Sequence, residues 1–214
     1  MRVGILGSGL MGGKLRTLFA RAGHQVIFSY ARSQKKLEGL ARDAGRHAQA
    51  GTPAEAAHQA DALLLAVHWL RIDNVLKQAG DVSDKVIVTC SLPMNTDNTE
   101  LVVAHTSSGA EELAKRVPKA RVVCAFNTVP SEVLFGVYEA KRKASRPSLV
   151  YCGNDKKGKA VAAELIRDVG FNPVDAGPLE IARYTEPFAL LVAQLAYEGK
   201  EGPELAYRFE RFGR

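Results

Sequence analysis

The chain has no apolar run long enough to cross a bilayer. Its longest, Pro187 to Tyr197, is interrupted by Gln194 and falls well short of the about 20 residues a spanning helix needs. Cysteine is scarce: Cys90, Cys124 and Cys152 are an odd set with no C-x-x-C. That excludes a disulfide framework and predicts buried, reduced thiols in a reducing, cytoplasmic setting. No His/Cys cluster has ligand spacing, so no metal site is expected. No basic run is interleaved with aromatics. Lys141-Arg142-Lys143 and Lys156-Lys157-Gly158-Lys159 read as solvated faces, which argues against nucleic acid. No Ser/His/Asp or Lys/His constellation stands out, so no catalytic residue is assigned. The first strand begins at once, and no leader peptide is expected.

What remains is an ordinary soluble composition. At 214 residues, 46% hydrophobic and 24% charged, the length suits one domain that buries its own core. The net charge of +6 suits a polyanionic cofactor as well as any other partner.

The strongest local signal lies in the first dozen residues. Arg2 to Leu6 reads as an apolar strand that runs into Gly7-Ser8-Gly9-Leu10-Met11-Gly12, and a helical pattern follows to about Ala22. Strand, G-x-G-x-x-G, helix is the dinucleotide-binding order. The first glycine allows the turn and the second lets backbone approach a pyrophosphate. The third lets helix pack close on strand, and the helix N-terminus presents unpaired N–H groups to the phosphates. Gln25 to Tyr30 reads as the second strand. An NAD site places an acid after it, but here the run is Tyr30-Ala31-Arg32-Ser33-Gln34-Lys35-Lys36. Arg32, Ser33 and Lys36 suit a 2′-phosphate, and Tyr30 or Arg32 an adenine face. This points to NADP(H).

Further buried strands are predicted at 62–67, 85–90, 121–126, 148–152 and 171–175. Their ends carry Val67-His68-Trp69, Ser91-Leu92-Pro93 and Asn127-Thr128. Such ends face the ligand crevice. Trp69 there either covers the nicotinamide or packs at the top of the core. His68 is either a proton carrier or a hydrogen-bonded structural residue. Asn127 and Thr128 either bond a carboxamide or substrate, or cap a turn. Thr52-Pro53-Ala54-Glu55 and Ser108-Gly109-Ala110-Glu111 are capping boxes that open helices. A helix is predicted at about 37–44, a polar loop at 139–147, and a C-terminal helix at about 179–198. That last helix is apolar on more than one side, so a second subunit is its natural cover. The expected architecture is a Rossmann-type, doubly wound α/β fold with a mainly parallel sheet of about eight strands and helices on both faces. It is a single domain, with a core at about 1–128 and an α/β extension at about 129–214.

Several segments carry a family resemblance: the glycine turn; Leu64 to Trp69; Val103 to Glu112; Ala125-Phe126-Asn127-Thr128; and Asp175-Ala176-Gly177-Pro178-Leu179 through Ala182-Arg183-Tyr184-x-Glu186-Pro187. Over nearly the whole chain these resemble the NADPH-dependent reductases related to the deazaflavin coenzyme (F420):NADP oxidoreductases. More distantly they resemble the cytosolic domain of the STEAP metalloreductases. The resemblance implies that the glycine turn holds the pyrophosphate and that Arg32, Ser33 and Lys36 hold the 2′-phosphate. It places His68-Trp69 and Ser91-Leu92-Pro93 beside the nicotinamide. Ser29-Tyr30-Ala31 stands where the family often has Gly-Ser-Arg, and Ser91-Leu92-Pro93 where it often has Thr-Asn-Pro. The implied activity is hydride transfer between NADPH and a flavin- or deazaflavin-like small-molecule acceptor. A non-catalytic NADP(H)-binding redox sensor and a flavin-relayed ferric reductase are the alternatives.

Overall fold

A computed structural model describes residues 1–30, 39, 47–142 and 145–213. Among them, eight strands form one sheet in the order β3-β2-β1-β4-β5-β6-β7-β8. These are β1 (Arg2–Leu6), β2 (Gln25–Ser29), β3 (Ala48–Ala50), β4 (Ala62–Leu65), β5 (Val86–Thr89), β6 (Arg121–Ala125), β7 (Ser148–Gly153) and β8 (Asn172–Asp175). All neighbours pair in parallel except β6 and β7, where Cys124 faces Cys152 in the antiparallel register. The expected mainly parallel, Rossmann-type fold is what forms.

Seven α-helices are described: α1 (Leu10–Arg21), α2 (Pro53–Gln59), α3 (Ile72–Ala79), α4 (Gly109–Arg116), α5 (Val133–Glu139), α6 (Lys156–Asp168) and α7 (Ala182–Tyr197). The sheet's period-two alternation sorts them onto two faces. Val3, Ile5, Ala62, Leu64, Val86 and Val88 point to a core shared with α1, α5 and α6. Leu63, Leu65, Ile87, Val122 and Cys124 point to a core shared with α2, α3, α4 and the start of α7. Central strands buried on both faces need apolar residues at every position, which is why β4 and β5 read as uninterrupted hydrophobic runs.

The capping box at Thr52 folds in full, whereas at Ser108 only the N-cap half forms, because Glu111 Oε2 accepts the Ser108 hydroxyl at 2.8 Å rather than its N–H. Thr52 Oγ1 accepts the Glu55 N–H at 3.1 Å and Glu55 Oε2 accepts the Thr52 N–H at 2.6 Å. Ser108 Oγ accepts the Glu111 N–H at 3.2 Å. Asp155 caps α6 through the Gly158 N–H at 2.7 Å. Two elements were not expected. β3 is a short strand with Gln49 exposed on it, and it pairs only with β2. α5 has a glycine at its centre and forms where Val133, Leu134 and Val137 bury against the core under α1. Tertiary packing decides both, because neither has enough local preference to stand alone. The expected helix at 37–44 lies outside the described residues, apart from residue 39.

The C-terminal helix is less buried than its composition suggests. Tyr184, Leu191, Leu195 and Tyr197 are all more than half exposed. The segment after it folds back along β7. The Tyr207 carbonyl accepts the Ser148 N–H at 2.7 Å, and the Tyr207 hydroxyl meets Thr128 Oγ1 at 2.7 Å. No helix among the described residues is long and apolar enough to cross a membrane.

Candidate functional site

The strand order reverses between β1 and β4, and the crevice opens beyond their carboxyl ends, as open α/β sheets require. A cleft of about 450 Å³ lies there, lined by Gly7, Ser8, Gly9, Tyr30, Ala66, Val67, His68, Arg71 and Gln78. A second, mostly apolar cavity of about 260 Å³ lies beyond the start of α1. Leu10, Met11, Leu92, Asn127, Val129, Pro130, Ser131, Ala189, Val192, Ala193 and Tyr197 line it. The glycine turn therefore divides two spaces: Gly7 to Gly9 face the first, Leu10 and Met11 the second.

Each glycine of the turn has a different physical reason. Gly7 sits at φ +134°, and a Cβ there would lie 2.2 Å from the Ala66 carbonyl oxygen. A Cβ on Gly12 would lie 2.7 Å from the Gly7 oxygen and 3.0 Å from the Ala66 Cβ, so α1 packs tightly on the turn. A Cβ on Gly9 would meet nothing within 4 Å. Protein packing explains the first two, whereas the third keeps open space free. Gly9 is also the N-cap of α1, with no side-chain cap and no acid in the first turn. The first N–H groups of a helix have no partner within it, so α1 presents donors and partial positive charge to that space. These features fit a dinucleotide pyrophosphate.

The far wall of the cleft is a short polar network. Tyr30, at φ 60°, donates its hydroxyl to Asn74 Oδ1 at 2.7 Å. Asn74 also accepts from Gln78 at 2.9 Å, and Ser8 Oγ donates to the Tyr30 carbonyl at 3.2 Å. Arg71 and Gln78 line this end and escaped sequence reasoning. They lie on exposed helical turns after β4, and no motif marks them. Arg32, Ser33 and Lys36, the residues expected at the 2′-phosphate, lie outside the described residues.

The strand-end residues divide sharply. Val67 lines the cleft beside Gly7. His68 Nδ1 accepts the Leu70 N–H at 3.3 Å, and its Nε2 meets Asn98 Oδ1 at 3.0 Å. That network assigns the proton to Nε2 and makes His68 a cap on the turn after β4. Trp69 lies in neither cavity. It is 9% exposed, packed in the core with Ile72, Ala110 and Leu113, and the Arg116 guanidinium lies 4.7 Å over its ring. An indole buried this way gains more from apolar contact and cation–π stacking than it would at a wet rim. Ser91 Oγ donates to the Val67 carbonyl at 2.7 Å and so ties the end of β5 to the end of β4. Pro93 is pressed against Gly109, where a Cβ would come within 2.9 Å of the proline ring. Neither Ser91 nor Pro93 lines the two cavities; Leu92 between them does. Thr128 is fully buried and turned to Tyr207.

Asn127 is the outstanding polar group. Its side chain is nine-tenths buried, lines the apolar cavity, and has neither its amide nitrogen nor its oxygen in a hydrogen bond. Buried amides are rarely left so, because each unmade bond costs about 1–3 kcal/mol. An amide with a free donor and a free acceptor matches another carboxamide. Nearby, Lys14 Nζ lies 3.3 Å from Ser131 Oγ. The Tyr197 hydroxyl donates to Glu132 Oε2 at 2.8 Å, and burial, with the Glu132 charge, pushes that phenol up to about 12.

Cys90, Cys124 and Cys152 are free thiols. Burial pushes Cys90 up to about 12. Contact with Cys152 and burial push Cys124 up, so neither is a ready nucleophile. Folding does bring ligand atoms of His24, Glu164 and Asp168 within 4.8 Å of one another, away from the cleft. The His24 ring is already engaged by Asp168 at 2.9 Å and by the Met1 amine at 3.3 Å.

The most family-specific segments meet in space. Arg183 grips Glu111 with Nη2–Oε1 at 2.6 Å and Nε–Oε2 at 2.9 Å. This holds the Glu111 carboxyl below its usual range. The buried Glu186 accepts the N–H groups of Gly109 and Ala110. Sequence reasoning assigned these segments no such contact, since 72 and 77 residues separate the partners.

Comparison with known proteins agrees with this geometry. Residues 2–93 match the family model described as NADP oxidoreductase, coenzyme F420-dependent. Metalloreductase STEAP3 of Rattus norvegicus is 30% identical over 189 residues, covering 88% of this chain and 36% of that protein. Metalloreductase STEAP2 of Homo sapiens is 25% identical over 191 residues, with the same coverage of each. The chain thus spans about a third of the length of these relatives. The crystal structure of a candidate F420-dependent NADP-reductase from Arthrobacter sp. FB24 superposes with a TM-score of 0.84 at 22% identity. It covers 98% of this chain and 99% of that one. A reductive aminase from Aspergillus terreus in complex with NADPH superposes with a TM-score of 0.66 at 18% identity, over 90% of this chain and 61% of that one. The solved structures show the shared fold. The family match over residues 2–93 bears out the resemblance read from the sequence and supports NADP(H) binding.

Proposed function

We propose that the protein moves hydride between NADPH and a flat, flavin- or deazaflavin-like acceptor seated in the apolar cavity. The observation that carries this is Asn127, a buried amide with both ends unbonded at the wall of that cavity. When bound, NADP(H) supplies the hydride at its nicotinamide ring. Gly9 and the first N–H groups of α1 receive the pyrophosphate, and Tyr30 walls the adenosine end. Arg32, Ser33 and Lys36 take the 2′-phosphate on the strength of their residue types. Asn127 orients the carboxamide by one donated and one accepted bond. Leu10, Met11, Leu92 and Val192 exclude water and offer a flat apolar seat, so orientation supplies much of the rate.

The exposed Tyr184, Leu191 and Leu195 support a homodimer built on α7. The three free thiols suit a reducing, cytoplasmic setting. We read residues 1–214 as a single cofactor-binding domain. Sedimentation should give twice the chain mass; a monomer at micromolar concentration would remove the dimer.

Purified protein mixed with NADPH and separate deazaflavin, FMN, FAD and ferric chelate acceptors should oxidise NADPH with a deazaflavin or a flavin. Turnover of ferric chelate only when flavin is added would make flavin a relay, which the STEAP relatives favour. No turnover with any acceptor, alongside tight NADPH binding, would leave a redox sensor. Arg32→Ala should weaken NADPH about 10- to 100-fold and NADH little. Equal losses for the two would sink the 2′-phosphate assignment.

A further inference from the structure

The two walls of the apolar cavity are tied together through one carboxyl. Glu186 lies in the first turns of α7 and is 1% exposed. Its Oε2 accepts the Gly109 N–H at 2.8 Å and its Oε1 accepts the Ala110 N–H at 3.0 Å. Those groups open α4, and a helix cannot satisfy them internally. Ser108 takes only the Glu111 N–H, so the remaining cap comes from another helix. Gly109 lies so close to Pro93 that a Cβ would meet its ring at 2.9, 3.1 and 3.2 Å. The first turn of α4 therefore backs Pro93, and the adjacent Leu92 lines the cavity. The opposite wall is Ala189, Val192 and Tyr197 of the same α7. One helix forms one wall with its later turns and holds the other wall with its first.

We propose that Glu186 is a positioning residue for the acceptor: by holding the first turn of α4 it sets the Leu92–Pro93 wall against α7. This rests on reading the cavity as the acceptor site. The hold depends on protonation. Burial pushes Glu186 up to about 7 against the lowering effect of its two N–H bonds, and the Glu111 carboxylate adds to the rise. The groups that face it are Glu111 of α4, which Arg183 neutralises, and Cys124 of β6, whose thiol is pushed up by its contact with Cys152 and by burial. Ionised, Glu186 accepts with both oxygens. Protonated, one oxygen becomes a donor and a poorer acceptor, and both N–H bonds lose their charge assistance. The wall is then held less firmly.

Trp69, the chain's one tryptophan, gives a readout that needs no turnover. It shares a core with Ala110 and Leu113, and Arg116 of α4 covers its ring. The wild-type protein and Glu186→Gln are titrated between about pH 5.5 and about pH 8.5. Trp69 emission, NADPH Kd and acceptor kcat/KM are followed together. In the wild type, emission should change with a midpoint near 7, and acceptor kcat/KM should rise about fivefold through the same range. Glu186→Gln should lose both transitions, with acceptor KM up about tenfold and NADPH Kd within about twofold. Every other group near Trp69 is common to the two proteins, so their difference isolates Glu186. Glu186→Asp retains a titrating carboxyl and should restore a pH-dependent step. A wild-type profile in Glu186→Gln, or an NADPH loss as large as the acceptor loss, overturns the proposal. A Trp69 transition that vanishes in Glu186→Gln while no acceptor turns over supports the clamp and removes the acceptor reading alone.

Discussion

The two ends of the crevice are built by different means. At the β1–α1 turn, the donors are main-chain N–H groups, and the reasons for the glycines lie within one strand–turn–helix and its neighbour β4. At the apolar end the shape comes from side chains that reach across the fold: Glu186 to Gly109 and Ala110, Arg183 to Glu111, Ser91 to Val67. The first end accepts a feature common to every dinucleotide, so backbone suffices. On the proposed function the second receives the acceptor, and its lining comes from the start of α1, from α7 and from the segments after β5 and β6. Backbone cradles tolerate few substitutions, while walls held at a distance can be retuned by a single residue.

The largest expected effect tests the backbone end. Gly7→Ala puts a Cβ against the Ala66 carbonyl at a φ that L residues rarely adopt. Unfolding free energy in denaturant should fall by about 3 kcal/mol or more. Gly9→Ala, with nothing near its Cβ, should leave stability within about 0.5 kcal/mol but raise NADPH Kd about tenfold. Equal behaviour of the two variants would break the distinction between a glycine for folding and a glycine for binding.

The next effect belongs to the other end. Folding raises the Glu186 carboxyl from 4.5 to about 7, so the native state binds its proton more tightly than the unfolded chain does. The stability this group contributes is complete below about pH 4.5 and is lost as pH rises through about 7, a fall of about 3 kcal/mol. Glu186→Gln should flatten that part of the profile in denaturant titrations at several pH values. An unchanged slope would show that the carboxyl is ionised without cost. The hold on α4 and the overall stability thus run in opposite directions with pH, because the ionised carboxyl that caps α4 fully is also the one whose burial is most expensive.

The smallest of the three concerns Asn127. Asn127→Ala removes two unbonded polar atoms, so stability should stay within about 1 kcal/mol. Acceptor turnover, kcat/KM, should fall about tenfold. A marked loss of stability with full activity would make Asn127 a structural group and shift the acceptor elsewhere.

Much of this was legible in the residue order. The glycine turn, the buried strands and the capping box at Thr52 are patterns of adjacent residues, and each folds as its spacing predicts; at Ser108 only the N-cap half of the predicted box forms. Trp69 was not decided, because a tryptophan at a strand end is compatible with the crevice or the core until Arg116 is seen over its ring. α5 was missed because Gly136 breaks its helical signal, and β3 because a short strand with an exposed glutamine resembles a loop. Both exist through burial against distant elements.

The sequence by itself determined a dinucleotide turn and a mainly parallel sheet, and it pointed to NADP(H) through Arg32 and Lys36. Those features rest on contacts between near neighbours, on strand periodicity, and on the absence of an acid after β2. Only the tertiary structure decided which strand-end residues face the crevice. It alone joined Glu186 to the start of α4 and left Asn127 unbonded at the cavity wall. Residues 77 apart carry no local pattern that announces their contact, and whether a buried polar atom finds a partner is settled only when every neighbour is in place.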